Sequence, residues 1–208
     1  MTMISRVCII LFLTIITCHS SKAQWYPDPI IPSRLVNDFA GILNLDESDA
    51  LEVKLMAFHE ETRVQVVIII LSDFGRHDPL SYASTIIDRW GIGYNNDEKG
   101  LLILVKPKNQ FGPLTVAIAP NSYIKDLFDE TVSRSITENE IKPLLAKKRM
   151  FQGLNNGTDA VMAHIEGNYV VKTNGKAEWL VYIISGILIL AAGAFIVSIF
   201  RKRRSSKS

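Results

Sequence analysis

Residues 89–105 read RWGIGYNNDEKGLLILV, and this stretch decides the fold. It joins the end of a predicted helix to a buried strand through a polar loop marked by glycines. Glycine tolerates positive φ angles, and Asn and Asp tolerate them best among the other residues. Because α/β proteins commonly place ligand sites in loops at such junctions, we expect a functional site here. A tight structural connector around a packing Trp90 is the alternative interpretation.

Apolar periodicity predicts the other elements on both sides of this stretch. Strands are predicted at 64–71, 101–105 and 114–119, with a short strand or anchored loop at 35–43. Helices are predicted at about 47–62 with Asp46 as N-cap, from Asp78-Pro79 to Gly91, over 123–145 with a break near Pro143, and at 154–165. The last two strands should be antiparallel, because their connection is too short for a crossover. This order predicts a three-layer α/β/α sandwich around a small mixed sheet.

The amino-terminal residues have the pattern of a secretory signal. Residues 1–23 combine a basic Arg6, a short apolar core and small residues that place cleavage near Ala23 or Gln24. Lipidation of Cys18 is an alternative outcome. Residues 24–32 are rich in proline and should form an extended lead-in to a domain spanning residues 33–168.

The carboxyl-terminal residues have the pattern of a membrane anchor. Residues 169–178 read as a polar linker, and residues 179–200 contain no charged side chain. At about 1.5 Å rise per residue, that stretch can cross a hydrocarbon core of about 30 Å. The basic tail at 201–208 should remain in the cytoplasm by the positive-inside rule. We therefore expect a single-pass membrane protein whose domain lies outside the cytoplasm, in the periplasm or extracellular space.

Composition excludes several kinds of site. The formal net charge of +2 gives no global field that would attract nucleic acid. Both cysteines, Cys8 and Cys18, lie in the predicted signal, so the folded part has no disulfide framework, thiolate zinc site or cysteine nucleophile. His59, His77 and His164 are scattered, and no nucleophile elbow, phosphate loop or zinc-protease motif occurs. The catalytic residues, if there are any, are unknown from sequence.

Several motifs together resemble the TPM domain, a family named for a thylakoid lumen protein, a photosystem II repair protein and a nematode modulator of an acetylcholine receptor. The matching motifs are VNDFAGIL at 36–43, the strand after Thr62, WGIG at 90–93, the strand from Gly100, ENEIKP at 138–143 and QGL at 152–154. The resemblance implies an α/β/α domain that is often tethered by a C-terminal span. It is strongest to secreted, membrane-anchored bacterial members. Some members are described as acid phosphatases or calcium-binding proteins, and others act by binding a membrane complex.

This chain departs from the family pattern at the expected ligand site. Residues 98–100 read EKG where members commonly carry DNG, and residues 121–125 read NSYIK where they carry GYGLE. Calcium needs several oxygen ligands with net negative charge, so Lys99 and Lys125 weaken that site. The candidate ligand residues that remain, expected to converge on one rim of the sheet, are Asp38, Asp97, Glu98, Asn121, Asp126 and Glu130. Of these, Asp38, Glu98 and Glu130 are the candidate metal ligands, and calcium is the possible ion.

Two functions follow from this combination. The first is a membrane-tethered, extracytoplasmic interaction domain without catalysis, which assists assembly or maintenance of a membrane-protein complex. The second is a metal-dependent, calcium-binding acid phosphatase of low activity, which the resemblance and the remaining acids favour. An intact fold pattern beside an altered acidic, glycine-rich rim favours the first.

Overall fold

The computed structural model describes residues 26–30, 33–94 and 99–172. Within them a four-stranded sheet has the order β1-β2-β3-β4. Strands β1, β2 and β3 run parallel, and β4 pairs antiparallel with β3, as the short connection predicted. The strands are β1 Val36–Asp38, β2 Val64–Ile70, β3 Lys99–Lys106 and β4 Thr115–Pro120.

Helices cover both faces of this sheet. They are α1 Leu45–Thr62, α2 Pro79–Trp90, α3 Glu130–Ile136, the π-helix Thr137–Ile141, α4 Lys142–Leu145 and α5 Met150–Ile165. Buried side chains of α1, α3, the π-helix, α4 and α5 form one core with alternate strand residues such as Ile68 and Ile103. Buried side chains of α2 form a second core with the intervening residues such as Ile69 and Leu102. The predicted mixed α/β architecture with covered faces is confirmed.

The placement of the first two helices has a consequence for handedness. The crossovers from β1 to β2 and from β2 to β3 both move one strand in the same direction across the sheet. Two right-handed crossovers of this kind would place both helices on the same face. Since α1 and α2 lie on opposite faces, one of the two crossovers is left-handed.

The helix ends show which sequence signals were interpreted correctly. Asp78 caps α2 by accepting a hydrogen bond from the Ser81 N–H, and this bond holds the pKa of Asp78 below its ordinary value. Gly91 ends that helix with a φ of 64°, as predicted. The predicted N-cap Asp46 is wrong. Asn44 caps α1 instead, because its side chain and that of Glu47 form a reciprocal capping box.

Three element boundaries also differ from the prediction. The predicted helix at 123–128 is a series of turns, and the helix begins only at Glu130 because Asp129 supplies its cap. Strand β3 extends two residues earlier than predicted, to Lys99, and α5 begins at Met150 rather than at 154. At the expected break, Pro143 follows a π-helix. Because proline has no N–H to donate, the α-helical ladder cannot continue unchanged through that position.

The proline-rich lead-in packs against α2. The ring of Tyr26 stacks on Tyr82 with a centroid distance of 4.8 Å, and the Arg89 guanidinium lies 5.0 Å from the Tyr26 ring centroid. The Trp90 indole N–H donates to the Pro27 carbonyl at 2.9 Å. Burial raises the pKa of Tyr82 to about 12. Trp90 is therefore a packing residue, as the connector interpretation held.

None of the described helices is both long and apolar enough to cross a bilayer. The predicted span at 179–200 lies outside the described residues. The same holds for the predicted signal at 1–23, the tail at 201–208 and most of the linker.

Two glycines bring α5 into close contact with the π-helix and α4. A Cβ atom added at Gly157 would lie 2.4 Å from Ile141 Cγ1, and one added at Gly153 would lie 2.2 Å from Leu145 Cδ1. Both distances are far inside van der Waals contact, so these positions require glycine although glycine is a poor helix former.

We expect Gly157→Ala to lower the free energy of unfolding by about 1–3 kcal/mol, because the steric cost exceeds a helix-propensity gain of about 1 kcal/mol. Urea titration of the full chain in detergent measures this. The exposed neighbour Asn156 provides the control, since Asn156→Ala should change stability by less than about 0.7 kcal/mol. A more stable Gly157→Ala protein would contradict the packing argument.

Candidate functional site

Asp38 lies at the carboxyl end of β1, and its side chain holds the loop that follows. Oδ1 accepts a hydrogen bond from the Ala40 N–H at 3.0 Å. Oδ2 accepts from the N–H groups of Ile42 and Leu43, each at 2.7 Å. One carboxylate thus accepts hydrogen bonds from three backbone N–H groups of the loop that follows β1. Asp38 is used as an anchor for residues 39–43.

The turn at residues 91–94 and Gly100 lie at the opposite end of the sheet, where β2 and β3 begin. Gly93 has a φ of 79°, and a Cβ added there would lie 2.5 Å from the Gly100 nitrogen. The Gly93 N–H donates to Gln65 Oε1 at 2.7 Å. Two glycines therefore allow the two ends of this loop to touch. Lys99 is exposed beside them, while Asp97 and Glu98 lie outside the described residues.

Asn121 closes the same end of the sheet. It is only 3% exposed, and its backbone N–H donates to the Gly100 carbonyl at 2.8 Å. Its side-chain Nδ2 donates to the Ile92 carbonyl at 3.4 Å, and its Oδ1 accepts from the Tyr123 N–H at 3.2 Å. The residue that stands at the family's glycine position therefore ties together β4, the 91–94 turn and the turn after β4.

The structure does not bring Asp38 and Asn121 together on one rim of the sheet. Asp38 pairs with Ile70 at the end of β2. Asn121 is hydrogen-bonded to Gly100, which pairs with Gln65 near the beginning of β2. Five residues along a strand correspond to roughly 17 Å. In addition, β1 and β4 are the two edges of the sheet. The prediction failed because it did not take into account that the antiparallel β4 brings Asn121 back to the end of the sheet where β2 and β3 begin.

Asp126 and Glu130, by contrast, line the same groove. It has a volume of about 740 Å³ and lies beside β4, between the start of α2 and the segment from Lys125 to Lys142. We call it the β4 groove. Its lining residues are Asp78, Pro79, Leu80, Val116, Ala117, Ile118, Pro120, Lys125, Asp126, Phe128, Asp129, Glu130, Ser133, Arg134, Thr137, Glu138 and Lys142.

The charges in the β4 groove are mixed, with more acidic than basic side chains. Two ion pairs bridge successive helical turns, one between Arg134 and Glu130 and one between Lys142 and Glu138. Asp129 is used as the cap of α3. Lys125, at the family's glutamate position, is exposed beside Asp126 in the same groove. The groove thus offers separate charges and apolar surface rather than a focused acidic centre.

A metal centre is not assembled within the part of the chain that the structure describes. No three His, Cys, Asp or Glu side chains there are placed to share one ion. Nε2 of His164 lies 2.8 Å from the Leu127 carbonyl oxygen, and its ring packs edge-on against Phe128. His77 stacks on Tyr82 with a centroid distance of 5.8 Å. None of the described residues that line the β4 groove is a histidine.

The sequence alone did not identify the β4 groove. Leu80, Arg134 and Lys142 come from separate elements and meet only because β4 is the last strand of the sheet. The sequence offered one signal for this groove. Leu80 directly follows the helix-starting Asp78-Pro79, and it does not belong to the apolar stripe of α2. It is 51% exposed.

The described chain ends in contact with the same helices. The Lys172 N–H donates to Ser135 Oγ at 3.0 Å, and Asn139 Nδ2 donates to the Lys172 carbonyl at 3.0 Å. Lys172 Nζ also lies 2.6 Å from Glu140 Oε1, and this partner raises the pKa of the lysine. Glu130, which lines the β4 groove, also lines a second, smaller groove beside Lys172. Lys172 therefore lies close to the β4 groove.

The fold and motifs agree with comparisons to known proteins. The TPM domain family model matches residues 36–164, well over half of the 208 residues. The chain belongs to the TPM domain family. No curated protein matches it.

Two solved structures from bacteria share the fold. The N-terminal domain of a protein from P. gingivalis has 24% identity and a TM-score of 0.54, and the match covers 64% of this chain and 83% of that one. The BA42 protein from Bizionia argentinensis has 16% identity and a TM-score of 0.51, with 64% and 87% covered.

We expect Asp38→Ala to lower the free energy of unfolding by about 2–3 kcal/mol, because backbone donors lose a charged acceptor. Asp126→Ala, which removes an exposed acid from the β4 groove, should change it by less than about 0.5 kcal/mol. Urea unfolding of both variants in the full chain makes the comparison. Equal effects would show that Asp38 does not anchor its loop.

Proposed function

We propose that this chain is a bacterial, membrane-tethered TPM domain that works outside the cytoplasm as a non-catalytic interaction factor. It assists assembly or maintenance of a membrane-protein complex. The proposal includes a cleaved signal at 1–23, a span at 179–200 and a short cytoplasmic tail. Its ligand is a protein partner rather than a small-molecule substrate.

The observation that carries the proposal is the use of the candidate site side chains within the fold. The Asp38 carboxylate accepts three backbone hydrogen bonds, and the Asn121 side chain is hydrogen-bonded at both its nitrogen and its oxygen. A hydrolytic site needs an ion or activated water together with a base. Residues already held by backbone groups are poorly suited to those tasks, because releasing them would break the loops that they anchor.

The position of the tether supports a partner near the membrane. Lys172 is held against Ser135 and Asn139, beside the β4 groove. From Lys172 to the start of the proposed span at Trp179, the chain can reach at most about 25 Å when fully extended. The domain would therefore remain within that distance of the bilayer, with the β4 groove in reach of membrane-protein segments.

Cysteine labelling tests the orientation. We expect Ala50→Cys, on the exposed side of α1, to react with a membrane-impermeant maleimide in intact bacterial cells that express the full chain. Ser206→Cys, in the basic tail, should react only after the membrane is permeabilised, because the positive-inside rule holds that tail in the cytoplasm. The parent chain without an added cysteine is the control. Labelling of both cysteines, or of Ser206→Cys alone, in intact cells would contradict the proposal.

One observation favours the second candidate, a calcium-dependent acid phosphatase. Asp126 and Glu130 line the same groove, and carboxylate oxygens are ligands that calcium prefers. Hydrolysis of p-nitrophenyl phosphate by the full chain in detergent, with calcium and with chelator, distinguishes the candidates. We expect no calcium-dependent turnover. Turnover that Asp126→Asn and Glu130→Gln remove, while the exposed control Glu166→Gln retains it, would instead establish the phosphatase.

A further inference from the structure

We propose that the free edge of β4 binds an extended segment of a partner protein by strand addition. In that partner segment, basic side chains alternate with apolar ones. This inference rests on the proposed interaction function and names the surface and the partner chemistry. β4 is an edge strand, and the β4 groove receives residues from both faces of the sheet. Leu80 and Ala117 belong to the α2 face, and Phe128 and Glu130 to the α3 face. The floor of the groove is therefore the unpaired side of β4.

The register identifies the backbone groups that point into the groove. Asn121 donates its N–H to the directly opposite Gly100, so this pair is a hydrogen-bonded pair of the antiparallel ladder. Alternate pairs are hydrogen-bonded, which directs the N–H and C=O groups of Ala117 and Ala119 toward β3. The corresponding groups of Val116 and Ile118 point away from β3, into the β4 groove.

These outward groups lack partners and have little contact with water. Among the described residues, no backbone or side-chain group is hydrogen-bonded to the outward N–H or C=O of Val116 or Ile118. The two residues are only 8% and 3% exposed, so water reaches their backbone mainly through the groove. Unpaired backbone groups in such places are costly, and an added strand would supply up to four hydrogen bonds.

The two sides of the groove differ in chemistry and thereby define the partner. Residues opposite Val116 and Ile118 would direct their side chains to the α3 face, where Asp126 and Glu130 lie. Glu130 already pairs with Arg134, but acidic side chains outnumber basic ones among the lining residues, so basic side chains complement this face. The partner residue between the two that lie opposite Val116 and Ile118 would direct its side chain to the α2 face. An apolar side chain fits there, beside the exposed Leu80. A basic–apolar–basic segment satisfies both sides.

The docking site is short. Proline is the last residue of β4, at position 120, and it has no N–H to donate. Only two residues of the strand therefore offer outward donors. A proline at the end of a short edge strand also limits uncontrolled pairing between copies. The groove thus suits a segment of three to five residues, held reversibly, rather than a long strand.

Amide hydrogen exchange by NMR tests the proposal directly. The protein is the full chain in detergent micelles, and the probe is the synthetic peptide acetyl-Lys-Val-Lys-Val-Lys-Val-Lys-amide. We expect saturating peptide to slow exchange of the Val116 and Ile118 amides at least about tenfold. Ala117 and Ala119, which already donate toward β3, should change little and serve as internal controls. No added protection at Val116 and Ile118 would overturn the proposal.

Two control peptides separate backbone pairing from charge. The same peptide methylated at every backbone amide nitrogen keeps every side chain but cannot pair as a strand along either edge, so it should give no protection. A peptide with Glu in place of Lys should bind at least about tenfold more weakly, because acidic side chains outnumber basic ones in the groove. Protection by the methylated peptide would overturn strand addition, and equal binding of the Glu peptide would overturn the charge assignment.

A matched pair of variants checks the location. Leu80→Lys places a charge in the apolar side of the groove and should weaken peptide binding at least about tenfold. Val53→Lys changes another exposed aliphatic residue, which lies on α1, and binding should be retained. Equal effects of the two variants would place the peptide elsewhere. Protection that appears without peptide, together with a dimer in sedimentation, would overturn the partner segment in favour of a second copy of this chain.

The inference can fail while the proposed function stands. Membrane attachment and orientation are measured by cysteine labelling and do not depend on the β4 groove. Unprotected Val116 and Ile118 amides beside correct labelling would reject strand addition alone. Reversed labelling would reject the proposed function.

Discussion

The central strands β2 and β3 carry apolar side chains on both faces, and the rest of the structure follows from covering them. Residues 66–70 and 101–105 are all nearly inaccessible to solvent. A sheet of this kind cannot leave either face in water, because each exposed aliphatic side chain would forgo roughly 1.5–3 kcal/mol of burial. Helix α2 covers one face, and α1 covers the other together with the later helices. With β1, β2 and β3 in sequential order, that placement makes one crossover left-handed against the usual preference.

The ends of the sheet show how polar groups are used once the faces are covered. Each strand end leaves backbone donors that need acceptors, and Asp38, Gln65 and Asn121 accept from them. These are the residue types that a ligand site would also use. In this protein they stabilise connections between elements, so their polarity alone does not define a site.

The two edges of the sheet differ in the same way. β1 has three residues, and the loop after it is held by Asp38. β4 has six residues and adjoins an open groove that carries both charge and apolar surface. The outward backbone groups of Val116 and Ile118 thus adjoin this groove, and Lys172 lies beside the neighbouring smaller groove. This asymmetry is what makes an interaction role physically reasonable for the fold.

The sequence by itself determined the class of fold. Local periodicity and backbone geometry predicted three features. They are the strand at 64–71 that is apolar on both faces, the helix start at Asp78-Pro79, and the buried strand that contains Leu101. The structure confirms all three. Only the tertiary structure decided which side chains meet. Asp38 and Asn121 lie at opposite ends of the sheet because β1 runs parallel to β2 and β3 while β4 runs antiparallel to β3, and the placement of β1 depends on long-range pairing. The β4 groove likewise exists only because β4 is an edge, a property of strand order that no local pattern encodes.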